Sequence, residues 1–261
     1  MGVVATVAGA DPALALVLGV SMTLLQFAIG TLNDLADAPR DAMTRRGKPI
    51  PDRLVRVELA RAVVAVCAGG GLLLALVGGG PLLLLVAAVG LAIGVWYDLS
   101  AKGTWISWLP MAVGVPLLPV FGWLGATGTL PLAFAVLVPA GILAGAALAI
   151  ANATVDIERD VAAGVTSLAI VLGPVPASLI ALVLQVVVAI VALASGSIVG
   201  GSGTWAVVAV GVAMVPVAGA LLGVAVSRRG ASAREVAFEV QAVGLALLVV
   251  AWVNALGTVA A

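Results

Sequence analysis

This chain of 261 residues has no histidine, a single cysteine and few charged residues, which make up only 9% of the sequence. Without histidine, no metal centre can use imidazole ligands, and one cysteine cannot form an internal disulfide. That residue, Cys67, lies in an apolar stretch, so we expect it to pack there. A chain that is 63% hydrophobic, with a mean hydropathy of +1.29, cannot hide its apolar side chains in a soluble core. The sequence therefore predicts an integral membrane protein.

Long apolar runs are what the sequence has instead of charge. A membrane-crossing helix needs roughly 20 predominantly apolar residues, and eight stretches meet that length. They lie at about 12–33, 59–79, 81–97, 105–125, 131–152, 175–195, 203–226 and 236–258. Runs of this length exclude a transmembrane barrel, whose strands alternate. The predicted fold is an all-α membrane bundle of about eight spans, forming one domain over residues 1–261.

Charged residues are confined to alternate connections between these spans. All twelve lysines and arginines lie in or beside four connections, at 40–61, 102, 159 and 228–234. Every acid except Asp11 lies on that side too, and the positive-inside rule makes it the cytoplasm. We therefore expect a multi-pass protein of the inner (plasma) membrane, with Asp-rich cytoplasmic loops near 33–57 and 152–172. The net charge is zero, and we expect no nucleic-acid partner.

Two of the cytoplasmic connections begin with the same pattern, Asn-x-x-x-Asp-x-x-x-Asp. Side chains four residues apart share one face of a helix, so each copy predicts a stripe of three oxygen donors. The first stripe is Asn33, Asp37 and Asp41, joined by Asp34, and the second is Asn152, Asp156 and Asp160. Such oxygens suit Mg²⁺, which proteins usually hold with a few carboxylates and substrate phosphates. Acidic residues near helix ends are often only a solvated face, but the repetition on one side favours a metal site.

Basic residues follow the first stripe closely, at Arg45, Arg46 and Lys48. Guanidinium and ammonium groups there can neutralise the outer oxygens of a diphosphate and the charge that grows on it as a leaving group. The two loops therefore predict a Mg²⁺–diphosphate site at the cytoplasmic rim of the bundle.

These motifs resemble those of the UbiA-type intramembrane prenyltransferases, which carry N-D-x-x-D-x-x-x-D in one cytoplasmic loop and D-x-x-x-D in another. The matching residues are Asn33, Asp34, Asp37 and Asp41, followed by Asp156 and Asp160. The family tends to carry a tyrosine and a lysine between the motifs, for which Tyr97 and Lys102 are candidates. The resemblance implies a ring of nine helices around a lipid-facing cavity. Eight spans fit that ring with the first helix missing, and residues 1–11 look like the tail of such a helix.

The resemblance also implies an activity, the Mg²⁺-dependent transfer of an isoprenyl group from an allylic prenyl diphosphate to a lipid-soluble or aromatic acceptor in the bilayer. Diphosphate is released, and two Mg²⁺ ions would bridge it to the stripes. The implied catalytic residues are Asp34, Asp37, Asp41, Asp156 and Asp160. Those aspartates, with Asn33 and Asn152, are the implied metal ligands. The implied diphosphate contacts are Arg45, Arg46, Lys48, Tyr97 and Lys102.

Other functions stay open at this point. A terpene cyclase on the same scaffold would share the metal motifs and use no acceptor. An ion-coupled transporter also places carboxylates in a helix bundle, but its coupling residues usually lie near the midplane, where these spans have almost no charge. The identity of the acceptor and the length of the prenyl chain are not readable from the motifs.

Overall fold

The computed structural model describes residues 1–44, 47–195 and 203–260, and in that part the chain forms helices and no strands. The elements in chain order are α1 (Gly2–Val7), α2 (Pro12–Thr44), α3 (Val57–Trp96), a π-helical turn (Tyr97–Ala101), α4 (Trp108–Gly114), α5 (Leu117–Thr127), α6 (Phe134–Val155), α7 (Ile157–Ala162), α8 (Leu168–Leu172), α9 (Pro174–Ala194), α10 (Gly203–Val226) and α11 (Ala231–Ala260). Seven helical segments among these residues are long and apolar enough to cross a membrane. The predicted all-α membrane fold is confirmed.

The eighth predicted span is contained in α3, which is a hairpin rather than one straight helix. Its 40 residues would extend about 60 Å as a straight helix, twice the roughly 30 Å of a hydrocarbon core. At Gly80 the backbone leaves the helical region, with φ 75° and ψ −168°. Only glycine adopts such angles readily, which explains why the turn falls in a Gly-Gly-Gly-Pro segment.

Both arms of this hairpin pack against the same part of α2. A Cβ added to Gly71 in the first arm would lie 2.8 Å from Leu25, and one added to Gly94 in the second would lie 2.6 Å from Ile29. The two arms therefore run in opposite directions past α2. Residues 57–79 and 81–96 correspond to the second and third predicted spans, so the seven apolar segments contain eight crossings.

The next predicted span, at 105–125, is divided into two helices at a proline. Helix α4 ends at Gly114 and α5 begins at Leu117, with Val115 and Pro116 between them. Proline removes a backbone donor and clashes with the preceding turn. Val115, which lies at this break, lines two cavities of the bundle.

Small and aromatic residues pack tightly where α4 and α5 meet α6 and α11. A Cβ on Gly145 of α6 would lie 2.6 Å from the backbone oxygen of Met111, so only glycine permits this approach between α4 and α6. At the other end of the bundle, the ring of Phe134 lies 5.8 Å from that of Trp123 and 6.4 Å from that of Trp252. These contacts join α5, α6 and α11 opposite the aspartate stripes.

The ends of the helices that carry the stripes meet on one side of the molecule. Asn33 on α2 donates a hydrogen bond to Asp98 in the π-helical turn, and Glu158 on α7 pairs with Arg234 on α11. The backbone N–H of Thr166 donates to the carbonyl of Gly103, at 3.2 Å, between the two connections. The fold therefore brings both predicted stripes to a common rim.

Candidate functional site

A polar cavity of about 520 Å³ lies at this rim, between the ends of α2 and α6 and the connections beside them. Both predicted stripes contribute to its wall. The residues concerned are Asn33, Asp37 and Asp41 from α2 and Asn152, Asp156 and Asp160 from α6 and α7. Two segments more than a hundred residues apart in sequence thus face one space, as the repeated pattern predicts.

The first stripe lies on a continuous helix rather than in a loop. Helix α2 extends through Thr44, about three turns beyond the predicted end of the span at residue 33. Asp37, a member of this stripe, is paired with two cations. It accepts a hydrogen bond from Lys102, and its other oxygen lies 2.8 Å from the guanidinium of Arg40. A carboxylate held on both sides is fixed in place before any ligand binds.

Asp34 and Asp41 share a different cation. The ammonium nitrogen of Lys48 lies 3.1 Å from an oxygen of Asp34 and 3.8 Å from an oxygen of Asp41. Asp41 is buried and lines the cavity, whereas Asp34 is 43% exposed and is not part of the cavity wall. The role of Asp34 stays a prediction, and its partner Lys48 does line the cavity.

The π-helical turn supplies the third side of the cavity. Tyr97 and Lys102, the two candidates between the motifs, both line it, and the Lys102 nitrogen lies 5.9 Å from the centre of the Tyr97 ring. Lys102 also donates to Asn33, at 3.2 Å. Because π-helical turns are frequent at functional sites, this local geometry agrees with a role for both side chains.

Asp98 is a functional candidate that sequence reasoning did not find. Its carboxylate is buried and accepts the 2.8 Å hydrogen bond from Asn33. Asn33 is thereby held between Asp98 and Lys102, which fixes the orientation of its amide. In the sequence, only its position beside Tyr97 and four residues before Lys102 could have indicated a role for Asp98. Its hydrogen bond with Asn33 joins residues that are 65 positions apart in the chain.

The second stripe is interrupted where the first is continuous. Helix α6 ends at Val155, and Asp156 adopts φ −98° and ψ 3° before α7 begins. The N–H of Asp160 still donates to the carbonyl of Asp156, at 2.8 Å. The i,i+4 relation therefore survives the interruption, and Asp156 and Asp160 keep facing the same cavity. Asp156 is paired with Arg159, one turn along.

The carboxyl of Asp160 is in a setting that disfavours its charge. Burial raises the pKa of Asp160 above its ordinary value, and the neighbouring charge of Asp156 raises it further, against the opposing effect of Arg159. Two carboxylates facing one partly buried cavity repel each other. A bound divalent cation would relieve that repulsion.

The cations of the cavity are partly those predicted. Lys48 and Lys102 line it, and so do Arg40 and Arg159, which were not among the predicted diphosphate contacts. The signal for both arginines was their position three residues after an aspartate of a stripe, on the same helical face. Arg45 and Arg46 lie outside the described residues, so their predicted roles stay predictions.

The donor set fits a hard cation, although the side chains are not gathered around a point. Among the described residues, no group of three or more carboxylates is close enough to hold a metal ion as it stands. Four of the aspartates are instead paired with cations, in the pairs Asp34–Lys48, Asp41–Lys48, Asp37–Lys102, Asp37–Arg40 and Asp156–Arg159. Carboxylate and amide oxygens on facing walls are the ligands that Mg²⁺ takes together with substrate phosphates.

An apolar cavity lies next to the polar one. It encloses about 250 Å³, and Tyr97 and Met111 belong to the walls of both. A third cavity, of about 430 Å³, is lined mainly by residues of α5, α6, α9 and α11. It shares Val115 and Leu118 with the apolar cavity of about 250 Å³. A charged cavity therefore lies beside two apolar cavities whose walls include residues of α4, α5 and the break between them.

Comparisons with known proteins agree with this geometry. In overall structure the chain is similar to a digeranylgeranylglyceryl phosphate synthase, with a TM-score of 0.76 and 16% identity, covering 98% of this chain and 91% of that one. It is also similar to a UbiA homologue from Aeropyrum pernix K1, with a TM-score of 0.75 and 20% identity over 95% of this chain and 94% of that one. A UbiA homologue from Archaeoglobus fulgidus bound to DMAPP and Mg²⁺ has a TM-score of 0.68 and 17% identity, with coverage of 95% and 94%.

At these identities the structural likeness establishes the fold. A search of curated proteins found no match. The profile of the UbiA prenyltransferase family, however, matches residues 1–243, which is most of the chain. The resemblance drawn from the motifs is confirmed, and this multi-pass membrane protein belongs to the UbiA prenyltransferase family.

Proposed function

We propose that this protein transfers an isoprenyl group from an allylic prenyl diphosphate to a lipid-soluble or aromatic acceptor in the membrane, in a reaction that requires Mg²⁺. One observation carries the proposal. A cavity lined by both aspartate stripes, with four cations among the described residues of its wall, lies next to an apolar cavity with which it shares Tyr97 and Met111. A molecule with a diphosphate head and a hydrocarbon tail matches both halves. Structures of the Archaeoglobus fulgidus homologue with DMAPP or GPP and Mg²⁺ support the same choice of ligand.

Two Mg²⁺ ions held between the stripes are part of the proposal, and the oxygen donors of the stripes are the ligand type that Mg²⁺ takes. Bound there, Mg²⁺ would neutralise the diphosphate and favour its departure. The proposed ligands are Asn33, Asp34, Asp37, Asp41, Asn152, Asp156 and Asp160. Because the stripes come from two separate segments that line one cavity, neither segment alone supplies the whole set.

The four cations that line the cavity among the described residues can change partners when the donor binds. Lys102, Lys48, Arg40 and Arg159 each pair with an aspartate of a stripe in this structure. If those carboxylates bind metal, the same cations can turn to the phosphate oxygens, where they stabilise the leaving group. Arg45 and Arg46 are proposed as further contacts from their place in the sequence.

The tail of the donor would lie in the apolar cavity that begins at Tyr97 and Met111. With the head fixed among the charges, the C1–O bond of the allylic group lies at the boundary between the two cavities. That bond breaks with its electron pair leaving on diphosphate, the acceptor nucleophile forms a bond to C1, and the acceptor then loses a proton. The apolar walls keep water from intercepting the electron-poor allylic group.

The orientation in the membrane follows from charge. The rim that carries the site also carries the basic connections, so we propose that it faces the cytoplasm of a cell whose inner (plasma) membrane holds the protein. A soluble diphosphate product would then leave on the side from which the charged donor head arrives.

Release of inorganic diphosphate tests the proposal. Purified protein in detergent is given a panel of allylic diphosphates with candidate acceptors, with and without Mg²⁺, and products are identified by mass spectrometry. Asp156→Asn removes a proposed ligand, and Glu58→Gln, an exposed acid on the same side of the chain, is the matched control. We expect release that needs Mg²⁺ and Asp156, with a product mass equal to acceptor plus prenyl group.

Other products would point elsewhere. Release that yields a hydrocarbon or alcohol without acceptor would favour the terpene cyclase. If no substrate in the panel gives release while the protein carries ions across vesicle membranes, the transporter is favoured and the proposal fails.

A further inference from the structure

A buried arginine on α11 pairs with the segment that carries the second stripe. Arg234 lies in the first turn of α11 and is only 3% exposed. One of its terminal nitrogens donates to the carbonyl of Arg229, at 2.7 Å, and also lies 3.4 Å from that of Ser227. Its other terminal nitrogen pairs with Glu158. Since a buried guanidinium is costly without partners, this arrangement calls for an explanation.

Glu158 lies between Asp156 and Asp160, the two carboxylates of the second stripe. It faces away from the polar cavity and does not line it. Its side chain is 65% exposed, so it does not belong to the packed interior. Because Arg234 is buried in the bundle and Glu158 is exposed on α7, their ion pair attaches α7 to the bundle.

Apart from this pair, helix α7 is held at its start, where the partly buried Ile157 packs against the cluster that includes Ile150 and Ala169. It has six residues, all described, and none of them is buried. A helix this short is unstable in water without tertiary support. The Arg234 guanidinium, by contrast, is buried, and one of its terminal nitrogens donates to the two carbonyls after α10. The pair therefore sets the position of α7 relative to the bundle, 76 residues away in the chain.

We infer that Arg234 is a positioning residue, which places Asp156 and Asp160 for metal binding by holding Glu158 on the outer side of α7. This inference rests on the proposed function for its consequence. Partners outside the ligand set typically change metal affinity or activity by about 10- to 100-fold when they are removed. A carboxylate that never touches the substrate is thereby expected to affect the site.

The test uses Glu158→Gln, because an exposed side chain can be changed with little risk to folding. Glu235→Gln is the control, since it removes the same charge from an exposed residue next to Arg234. The first readout is hydrogen–deuterium exchange of the metal-free protein over residues 156–165. The second is the Mg²⁺ concentration that gives half of the thermal stabilisation by inorganic diphosphate. Neither readout depends on turnover.

We expect Glu158→Gln to speed exchange in this segment and to raise the half-saturating Mg²⁺ concentration about 10-fold, with Glu235→Gln unchanged. Arg234→Gln should give the same Mg²⁺ shift, and the double variant should be no worse than Arg234→Gln alone. Arg228→Gln, an exposed arginine nearby, is the control for the lost positive charge. If an Arg234 variant fails to fold, hydrogen exchange and the Mg²⁺ requirement of Glu158→Gln still test the inference.

Two results would overturn the inference. One is exchange in Glu158→Gln equal to that in Glu235→Gln, which would mean that the pair does not hold α7. The other is faster exchange with an unchanged Mg²⁺ requirement, which would make the pair structural only. A wild-type protein that shows no Mg²⁺-dependent response to diphosphate would overturn the proposed function, and exchange alone would then support or overturn the placement of α7 by Arg234.

Discussion

The same nine-residue pattern is built in two different ways in this molecule. In the first stripe, Asn33, Asp37 and Asp41 lie on an uninterrupted helix of 33 residues that is packed against both arms of α3. In the second, the helix breaks at Asp156, and the last carboxylate sits on a six-residue helix with no buried residue. The cavity nevertheless receives oxygen donors from both.

The difference lies in what supports each stripe. Asp37 is bonded to Lys102, which comes from another part of the chain and also contacts Asn33. Asp156 is paired with Arg159, a neighbour on the same segment. The first stripe is therefore tied into the bundle through its own aspartate, whereas the second depends on an outer contact made by Glu158. We expect the first wall to be rigid and the second to adjust when the donor binds.

The largest predicted effect would show that the two walls are equally necessary. Asp37→Ala and Asp156→Ala should each lower turnover by about 10³-fold or more, because losing a metal ligand removes several kcal/mol of charge stabilisation. Both side chains lie at the rim, so membrane insertion and yield should match those of Glu58→Ala. The measurement is Mg²⁺-dependent diphosphate release. Near-normal turnover in only one variant would contradict the prediction that both stripes are equally necessary.

A second prediction concerns the cations that pair with the stripes. The Lys102 side chain is 23% exposed and bridges two elements, whereas that of Arg159 is 50% exposed and pairs within its own segment. Lys102→Met should lower kcat/KM for the prenyl diphosphate by about 10²-fold, the cost of removing a placed charge from a sheltered site. Arg159→Met should cost about 10-fold or less, because solvent screens an exposed charge.

Lys102→Arg is the control for this comparison, since it keeps the charge but changes its geometry. Partial recovery is expected. Equal losses in Lys102→Met and Arg159→Met would contradict the unequal support of the two stripes.

The smallest predicted effect is on the stability of the second wall. Gly164, which ends the segment after α7, has φ 67°, and alanine there is strained by about 1 kcal/mol. Gly30, in α2 just before the first stripe, has no neighbour within 4 Å of an added Cβ. Gly164→Ala should speed hydrogen exchange in residues 156–165, whereas Gly30→Ala should leave residues 30–41 unchanged. Faster exchange around the first stripe would reverse the order of rigidity.

Much of this arrangement was predictable because it depends on local sequence. The run of apolar residues predicts the spans, and Gly78-Gly79-Gly80-Pro81, which is uncharged and opposite the basic connections, predicts the turn seen at Gly80. The spacing of four predicts that each Asn-Asp-Asp set shares a face. These features need only the periodicity of a helix and the thickness of a membrane.

The rest depends on pairs of residues that are far apart in the chain. Asn33 and Asp98, like Glu158 and Arg234, meet only because the bundle closes, and their sequences carry no pattern that links them. The break at Asp156 was also not predicted, since apolar periodicity does not mark a helix end to within a residue. Asp98 and Arg234 were therefore found only through the fold.

Mn²⁺ electron paramagnetic resonance, with a non-hydrolysable prenyl thiodiphosphate, tests most directly whether the two stripes form one site. Mn²⁺ substitutes for Mg²⁺ at oxygen ligands, and the measurement needs no acceptor or turnover. The wild-type protein should bind Mn²⁺ tightly only when the analogue is present, and Asp37→Asn and Asp156→Asn should each lose that binding. Full retention of analogue-dependent Mn²⁺ binding in either variant would contradict a site shared between α2 and the α6–α7 segment.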